Sequence, residues 1–339
     1  MLKRVLIIVI ILSGIFLLTR SNPQISSIPD IVVDPTPTPF LFEEITIPYL
    51  RARKYESKLG ELTKYSENTN YTSYLTNYDS DGLKINGLLT IPKEDEPDGG
   101  FPAIVFVHGY IAPTIYKTTE KYGDYIDYLA RNGFVVFKID LRGHGDSGGE
   151  AGGAYYSGDY VIDTLNAYSA LQNSNFVNPK KIGLWGHSMA GNITFRSFVA
   201  KKDIPALVIW AGAGYSYEDL QSYGLSDGSY RPPTQNSERA RKRELLNNTY
   251  GQFNPEQEFW KKVAPTNYLN GVRGAIEIHH ATDDNVVSIE YSRNLMKILD
   301  NTMISHSLFE YNSGGHNIAG SSFSKAMQKT IEFFGGNLK

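Results

Sequence analysis

The string Ile182-Gly183-Leu184-Trp185-Gly186-His187-Ser188-Met189-Ala190-Gly191 carries an apolar run straight into a helical pattern, with a serine at the junction. A tight strand-to-helix turn lifts such a hydroxyl clear of the backbone and needs small neighbours, because the two elements approach closely. Gly186 meets that need on one side; on the other, Ala190 stands where a second glycine is usual, and Gly191 follows one step later. A serine hydroxyl is a poor nucleophile until a base takes its proton, so Ser188 requires a histidine from elsewhere in the chain. Of the seven histidines, His316 in Ser313-Gly314-Gly315-His316-Asn317 follows the last apolar run on a Gly-rich segment that can carry an imidazole back over a sheet. His306 precedes that run and reads as a surface residue, His187 reads as support for the serine turn, and His144 belongs to an earlier loop. The base in turn needs a carboxylate, and Ile278-His279-His280-Ala281-Thr282-Asp283-Asp284-Asn285-Val286-Val287 offers two. Acyl transfer also needs donors aimed at the developing oxyanion. The backbone N–H groups of Met189 and of Tyr110, in Phe106-Val107-His108-Gly109-Tyr110, are the expected pair. His279, His280, Asp283 and Asp284 could instead ligate zinc, but adjacent strand residues face opposite ways, so neither a metal nor a cofactor is expected.

These residues need a scaffold that brings distant segments to one edge. Apolar runs at 103–107, 134–139, 182–185, 206–210, 275–279 and 308–311 alternate with loops and helical patterns, as in a mostly parallel, doubly wound sheet with helices on both faces. Segments 74–78 and 83–91 flank Asp81-Gly82 and read as an antiparallel pair. Residues 48–65, with Tyr49, Leu50, Ala52, Tyr55, Leu59 and Leu62, suggest an amphipathic helix in an N-terminal helical arm spanning 41–72. Residues 214–271 are polar, Tyr-rich and too long for a simple crossover, which predicts a lid inserted over the carboxyl edge of the sheet. A catalytic domain of 73–339 follows from this division.

The first residues are of another kind. Lys3 and Arg4 precede an apolar run over 5–18, interrupted only by Ser13 and Gly14, and Thr19-Arg20-Ser21-Asn22-Pro23 follows without a small-residue cleavage pattern. Residues 1–20 are therefore expected to be an uncleaved membrane anchor with the catalytic part outside the cytoplasm; a processed signal peptide and a secreted enzyme are the alternative. Residues 21–40, rich in Pro, Ser and Thr, read as an extended spacer. A net charge of −3 and a pI near 6.2 supply no basic field for nucleic acid, and a small-molecule or short-peptide substrate fits better. With no cysteine, the nucleophile must be an oxygen or an amine.

Taken together, His108-Gly109, Asp140-Leu141-Arg142-Gly143-His144-Gly145-Asp146-Ser147-Gly148-Gly149, the Ser188 turn, Asp283-Asp284-Asn285-Val286 and Gly315-His316 resemble the catalytic domain of prolyl oligopeptidase-type serine peptidases. That group includes dipeptidyl and acylaminoacyl peptidases. The resemblance runs from about residue 74 to the end and implies an α/β-hydrolase fold, whose triad order of serine, acid and histidine matches the order here. It implies Ser188 as nucleophile, His316 as general base, Asp283 rather than Asp284 as the orienting acid, and Asn285 as a contact for a substrate carbonyl. The chain departs from the group in three ways. Nothing between 19 and 74 could form the β-propeller of its large members. The acidic pair that the propeller supplies to hold a peptide's free amine is missing with it. Tyr110-Ile111 stands where many members have Gly-Pro. Peptide cleavage is thus expected from kinship, and carboxylic ester cleavage is the second expectation. A non-catalytic binding module with this fold would typically have lost the serine or the histidine, and both are present.

Overall fold

The structure, a computed structural model, describes residues 41–339. The anchor or signal segment expected at 1–20 and the spacer at 21–40 lie outside the described residues. Among the described residues no helix is long and apolar enough to cross a membrane.

Among the described residues nine strands form one sheet, in the order β1-β2-β3-β5-β4-β6-β7-β8-β9. They are β1 (Thr63–Glu67), β2 (Tyr71–Ser80), β3 (Leu83–Pro92), β4 (Phe101–Val107), β5 (Val135–Ile139), β6 (Val177–His187), β7 (Ala206–Trp210), β8 (Ala275–Ala281) and β9 (Ser305–Tyr311). Strands β1 to β3 are antiparallel to one another and β3 to β5, while β5, β4, β6, β7, β8 and β9 run parallel. Each of the six apolar runs is a strand of the parallel part. Strands β4, β5, β7 and β8 are buried along their whole length, which is why they read as continuous rather than alternating hydrophobic segments. The β2–β3 hairpin turns at Asp81 and Gly82, both with positive φ (58° and 76°), as a two-residue turn matched to strand twist requires.

Helices cover both faces. The larger core lies under α1 (Ile47–Ala52), α3 (Asp159–Gln172), α4 (Ala190–Ala200) and α8 (Glu290–Leu299). The opposite face is covered by α2 (Gly123–Arg131) and α9 (Ser321–Leu338), through Ile126, Leu129, Met327 and Phe334. The insertion carries α5 (Tyr217–Tyr223), α6 (Glu238–Tyr250) and α7 (Glu258–Val263). It has its own small core of Tyr217, Leu246, Phe259, Trp260 and Val263, closed by Ile45 from the N-terminal arm.

The arm differs from the expected helix over 48–65. Helix α1 ends at Ala52, Arg53 is extended, Leu59 bridges to Tyr78, and Thr63–Glu67 is the edge strand β1. The apolar residues Leu59 and Leu62 do pack on the core, but from an extended chain lying along β2. The Gly60 N–H donates to the Asn77 carbonyl at 2.7 Å, a bond to the neighbouring strand of the kind an extended chain makes. Two arginines tie the arm down through carbonyls rather than carboxylates. Arg51 donates to the carbonyls of Val199 and Tyr268, and buried Arg196 donates to those of Ala154, Ser157 and Ile45.

Candidate active site

Ser188 stands between β6 and α4 with φ 56°, a left-handed conformation that costs a non-glycine residue of order 1–3 kcal/mol. The surroundings hold it there: its N–H donates to the Trp210 carbonyl (2.9 Å), and its own carbonyl accepts from Gly191 (2.8 Å) and Ala213 (3.2 Å). A Cβ on Gly186 would meet Thr194 Oγ1 at 2.7 Å, and one on Gly191 would meet Gly212 Cα at 2.7 Å. The close backbone approach on the helix side thus falls on Gly191, and the methyl of Ala190 is accommodated in the core.

His316 lies beyond β9 on a turn whose Gly314 and Gly315 both have positive φ (133° and 58°), a path open chiefly to glycine. Its Nε2 is 2.8 Å from Ser188 Oγ, and its Nδ1 is 2.8 Å from Asp284 Oδ2. A carboxylate only accepts, so Nδ1 carries the proton and the Nε2 lone pair accepts from the serine hydroxyl. Serine, imidazole and carboxylate therefore form one continuous chain of hydrogen bonds.

The acid in that chain is Asp284, which corrects the assignment of Asp283. The Asp284 side chain is fully buried, and its Oδ1 accepts from the N–H groups of Val286 (2.8 Å) and Val287 (3.0 Å). Its Oδ2 accepts from His316 and also faces His280 Nε2 at 3.2 Å. Burial pushes its pKa up, but the bonds from His280, His316 and the Val287 amide outweigh it and hold the group below the ordinary carboxylate range. Asp283, one residue earlier, projects outward and is exposed. Its oxygens accept from the N–H groups of Gly315 (2.8 Å) and Gly314 (3.2 Å). It pins the turn that carries His316 without touching the imidazole.

A second chain of bonds runs behind the first. The Gly109 N–H donates to Tyr122 Oη (2.9 Å), Tyr122 Oη lies 2.8 Å from His187 Nδ1, and His187 Nε2 lies 2.9 Å from the His316 carbonyl. The carbonyl can only accept, so Nε2 holds the proton and Nδ1 accepts from the phenol. Burial, and then the nearby His316, push the His187 pKa down to about 3, so this ring stays neutral near pH 7. A Cβ on Gly109 would lie 2.8 Å from the phenol oxygen. Lys121 and Tyr122 both have positive φ (61° and 60°), and this local strain sets the phenol between the two loops. The sequence pointed to His187 as support but gave no sign of Tyr122, whose partners are 13 and 65 residues away.

Among the described residues the backbone N–H groups of Tyr110 and Met189 have no hydrogen-bond partner. Both residues line the same cavity as Ser188, about 630 Å³ in volume. The Tyr110 phenol also accepts the Arg231 N–H at 2.9 Å, joining this loop to the insertion. Leu220, Tyr230 and Arg239 of the insertion complete the cavity wall, as expected of a segment placed over the sheet edge. Asn285 is exposed, and the turn after β8 reaches the cavity through Val286 and Val287 instead; the structure does not bring Asn285 to the site. Of the other histidines, His280 backs Asp284 and also meets Ser292 and the Val287 carbonyl, whereas His279 engages Glu277, Tyr311 and Thr330 and His306 engages Asp300, away from the serine. His108 and His144 are buried beneath the Tyr110 loop.

The chain is similar to known proteins. The model for "Serine aminopeptidase, S33" matches residues 101–226, and that for "BAAT / Acyl-CoA thioester hydrolase C terminal" matches residues 165–339. The uncharacterized peptidase YuxL of Bacillus subtilis is 23% identical over 255 residues, covering 70% of this chain and 34% of its own length. The chain thus spans about a third of that relative. Acetyl xylan esterase 1 from Thermoanaerobacterium sp. superposes with a TM-score of 0.59 at 18% identity, over 88% of this chain and 95% of its own. Pyrococcus horikoshii acylaminoacyl peptidase gives 0.59 at 19% identity, over 80% of this chain and 42% of its own. At such identities the structural likeness speaks for the fold alone. With the BAAT / acyl-CoA thioester hydrolase C-terminal match taking in more than half of the chain, and the sheet and serine turn as described, the protein belongs to that family within the α/β-hydrolase superfamily of serine hydrolases.

Proposed function

We propose that this protein hydrolyses acyl compounds through an acyl-enzyme on Ser188, with short peptides as the first substrate class. The observation that carries the reading is the 2.8 Å contact of His316 Nε2 with Ser188 Oγ, backed by the 2.8 Å contact of His316 Nδ1 with Asp284. Ser188 Oγ attacks a substrate carbonyl while His316 takes its proton, and Asp284 stabilises the imidazolium. The proton then passes to the leaving amine or alcohol. Water, deprotonated by the same imidazole, releases the acid and restores the serine. The free N–H groups of Tyr110 and Met189 are suited to the tetrahedral oxyanion.

A cavity of about 630 Å³ is in the range that encloses a small ligand. The kinship with a peptidase such as YuxL favours amide substrates. Ester hydrolysis is the second reading, favoured by an acetyl xylan esterase that this chain covers almost end to end. Comparing turnover of short peptide p-nitroanilides with p-nitrophenyl esters separates the two. Ester cleavage without amide cleavage would sink the peptidase reading. The apolar run over residues 5–18 supports a membrane-anchored enzyme with its catalytic part outside the cytoplasm. Membrane fractionation followed by protease shaving of intact cells tests that placement.

A further inference from the structure

Helix α6 opens with a feature that its own stability disfavours. Arg239 lies in the first turn, where the helix dipole favours negative charge. Its side chain is half-buried in the wall of the cavity that holds Ser188. Among the described residues no carboxylate lies within ion-pairing distance of it, and none of its N–H groups makes a hydrogen bond. Its donors are therefore open to a group that enters the cavity.

The other cations of this cavity are engaged. Arg142 pairs with Asp163 (2.7 Å) and Asp159 (3.1 Å), Lys242 pairs with Glu238 (2.9 Å), and Arg243 lies over the Tyr156 ring at 5.2 Å. Among the cavity's carboxylates, Asp227 accepts from Ser229, Glu44 acts on Lys242, and Glu150 is exposed. The position of Arg239 is also built. A Cβ on Gly153 (φ 93°) would fall 2.8 Å from Arg239 Nη2 and 3.1 Å from both Cζ and Nε. The flat face of the guanidinium therefore rests on a bare glycine backbone, which leaves its N–H edge available.

We propose that Arg239 is the anchor of an anion subsite, and that the preferred substrate carries a carboxylate on its acyl part. A guanidinium presents paired N–H groups that match a carboxylate bidentately. The carboxylate could come from an acidic residue of a peptide or from a half-esterified dicarboxylic acid; the chemistry at Arg239 is the same. The proposal rests on the acyl-enzyme reading above and adds the charge of the substrate to it.

The test compares p-nitrophenyl half-esters of succinic, glutaric and adipic acids with p-nitrophenyl butanoate, pentanoate and hexanoate. The wild type should favour at least one half-ester over its uncharged counterpart in kcat/KM. Arg239→Met should cut that preference at least tenfold, chiefly through KM, and Arg239→Lys should fall between. Arg241→Met removes a charge whose group instead bonds the Asn236 carbonyl and should keep the preference. The free dicarboxylate of the best length should slow fluorophosphonate labelling of Ser188 in the wild type but not in Arg239→Met. Labelling with no charge preference, or with one that Arg239→Met leaves intact, overturns the subsite alone. A folded wild type that resists labelling overturns the acyl-enzyme reading, and the subsite falls with it.

Discussion

Helix α4, which begins two residues after Ser188, and helix α6, which lines the cavity through Glu238, Arg239, Lys242 and Arg243, are opposites. Every residue of α4, from Ala190 to Ala200, is buried, including Arg196, whose guanidinium is held by three backbone carbonyls. In α6, from Glu238 to Tyr250, only Leu246 is buried, and apart from Ala240 and the exposed Leu245 the other side chains are charged or polar. The first helix fixes the strained serine; the second presents side chains to whatever enters. Backbone strain persists only where the surroundings over-determine it, which is why the strained Ser188 sits beside the rigid element. Recognition can sit on the tolerant one, where substitutions cost little.

The contrast can be broken or sharpened by experiment. Ser188→Ala should lower kcat by about 10⁴-fold or more and abolish labelling by a fluorophosphonate probe, with the melting temperature preserved. Asp284→Asn should cost about 10³- to 10⁴-fold in kcat by favouring the wrong tautomer of His316, whereas Asp283→Asn should cost no more than about tenfold. Equal losses in the two would contradict the division of labour between the adjacent acids. The pH dependence of stability should divide them too. The folded pKa of Asp284 lies below its unfolded value. Its contribution is therefore complete above the ordinary carboxylate pKa and is lost as pH falls through the depressed one. Urea denaturation across acidic pH should show that loss in the wild type and not in Asp284→Asn.

Tyr122→Phe keeps the ring but removes the bond to His187 and the acceptor for Gly109. It should lower kcat by about tenfold with little change in KM, because the groups it supports act on the transition state. A change confined to KM would count against that positioning role. Among stability effects, Arg196→Met should cost about 2–4 kcal/mol by leaving three carbonyls without donors. Lys242→Ala, which breaks an exposed pair on α6, should stay within about 1 kcal/mol. Comparable losses in both would erase the distinction between the two helices.

The parallel strands were legible because full burial on both faces forces continuous apolar runs, and the serine turn because its small neighbours are a local requirement. The arm departs from the helix expected over 48–65 because Leu59 and Leu62 suit either a helix face or a chain lying along β2. Only contact with Asn77 and Tyr78 distinguishes the two. Tyr122 gave no local signal, since its value lies entirely in bonds to distant loops.

What the sequence alone determined is the set of groups at hand and their order along the chain: a hydroxyl at 188, an imidazole at 316 and a pair of acids between them. Covalent composition and short-range sterics suffice for that. Only the tertiary structure decided which acid meets the imidazole. Asp283 and Asp284 are chemically identical neighbours, and the turn after β8 buries one beneath His316 while directing the other to the glycine amides. The same holds for the bare guanidinium of Arg239, because what a charged group lacks is visible only once every potential partner has taken its place.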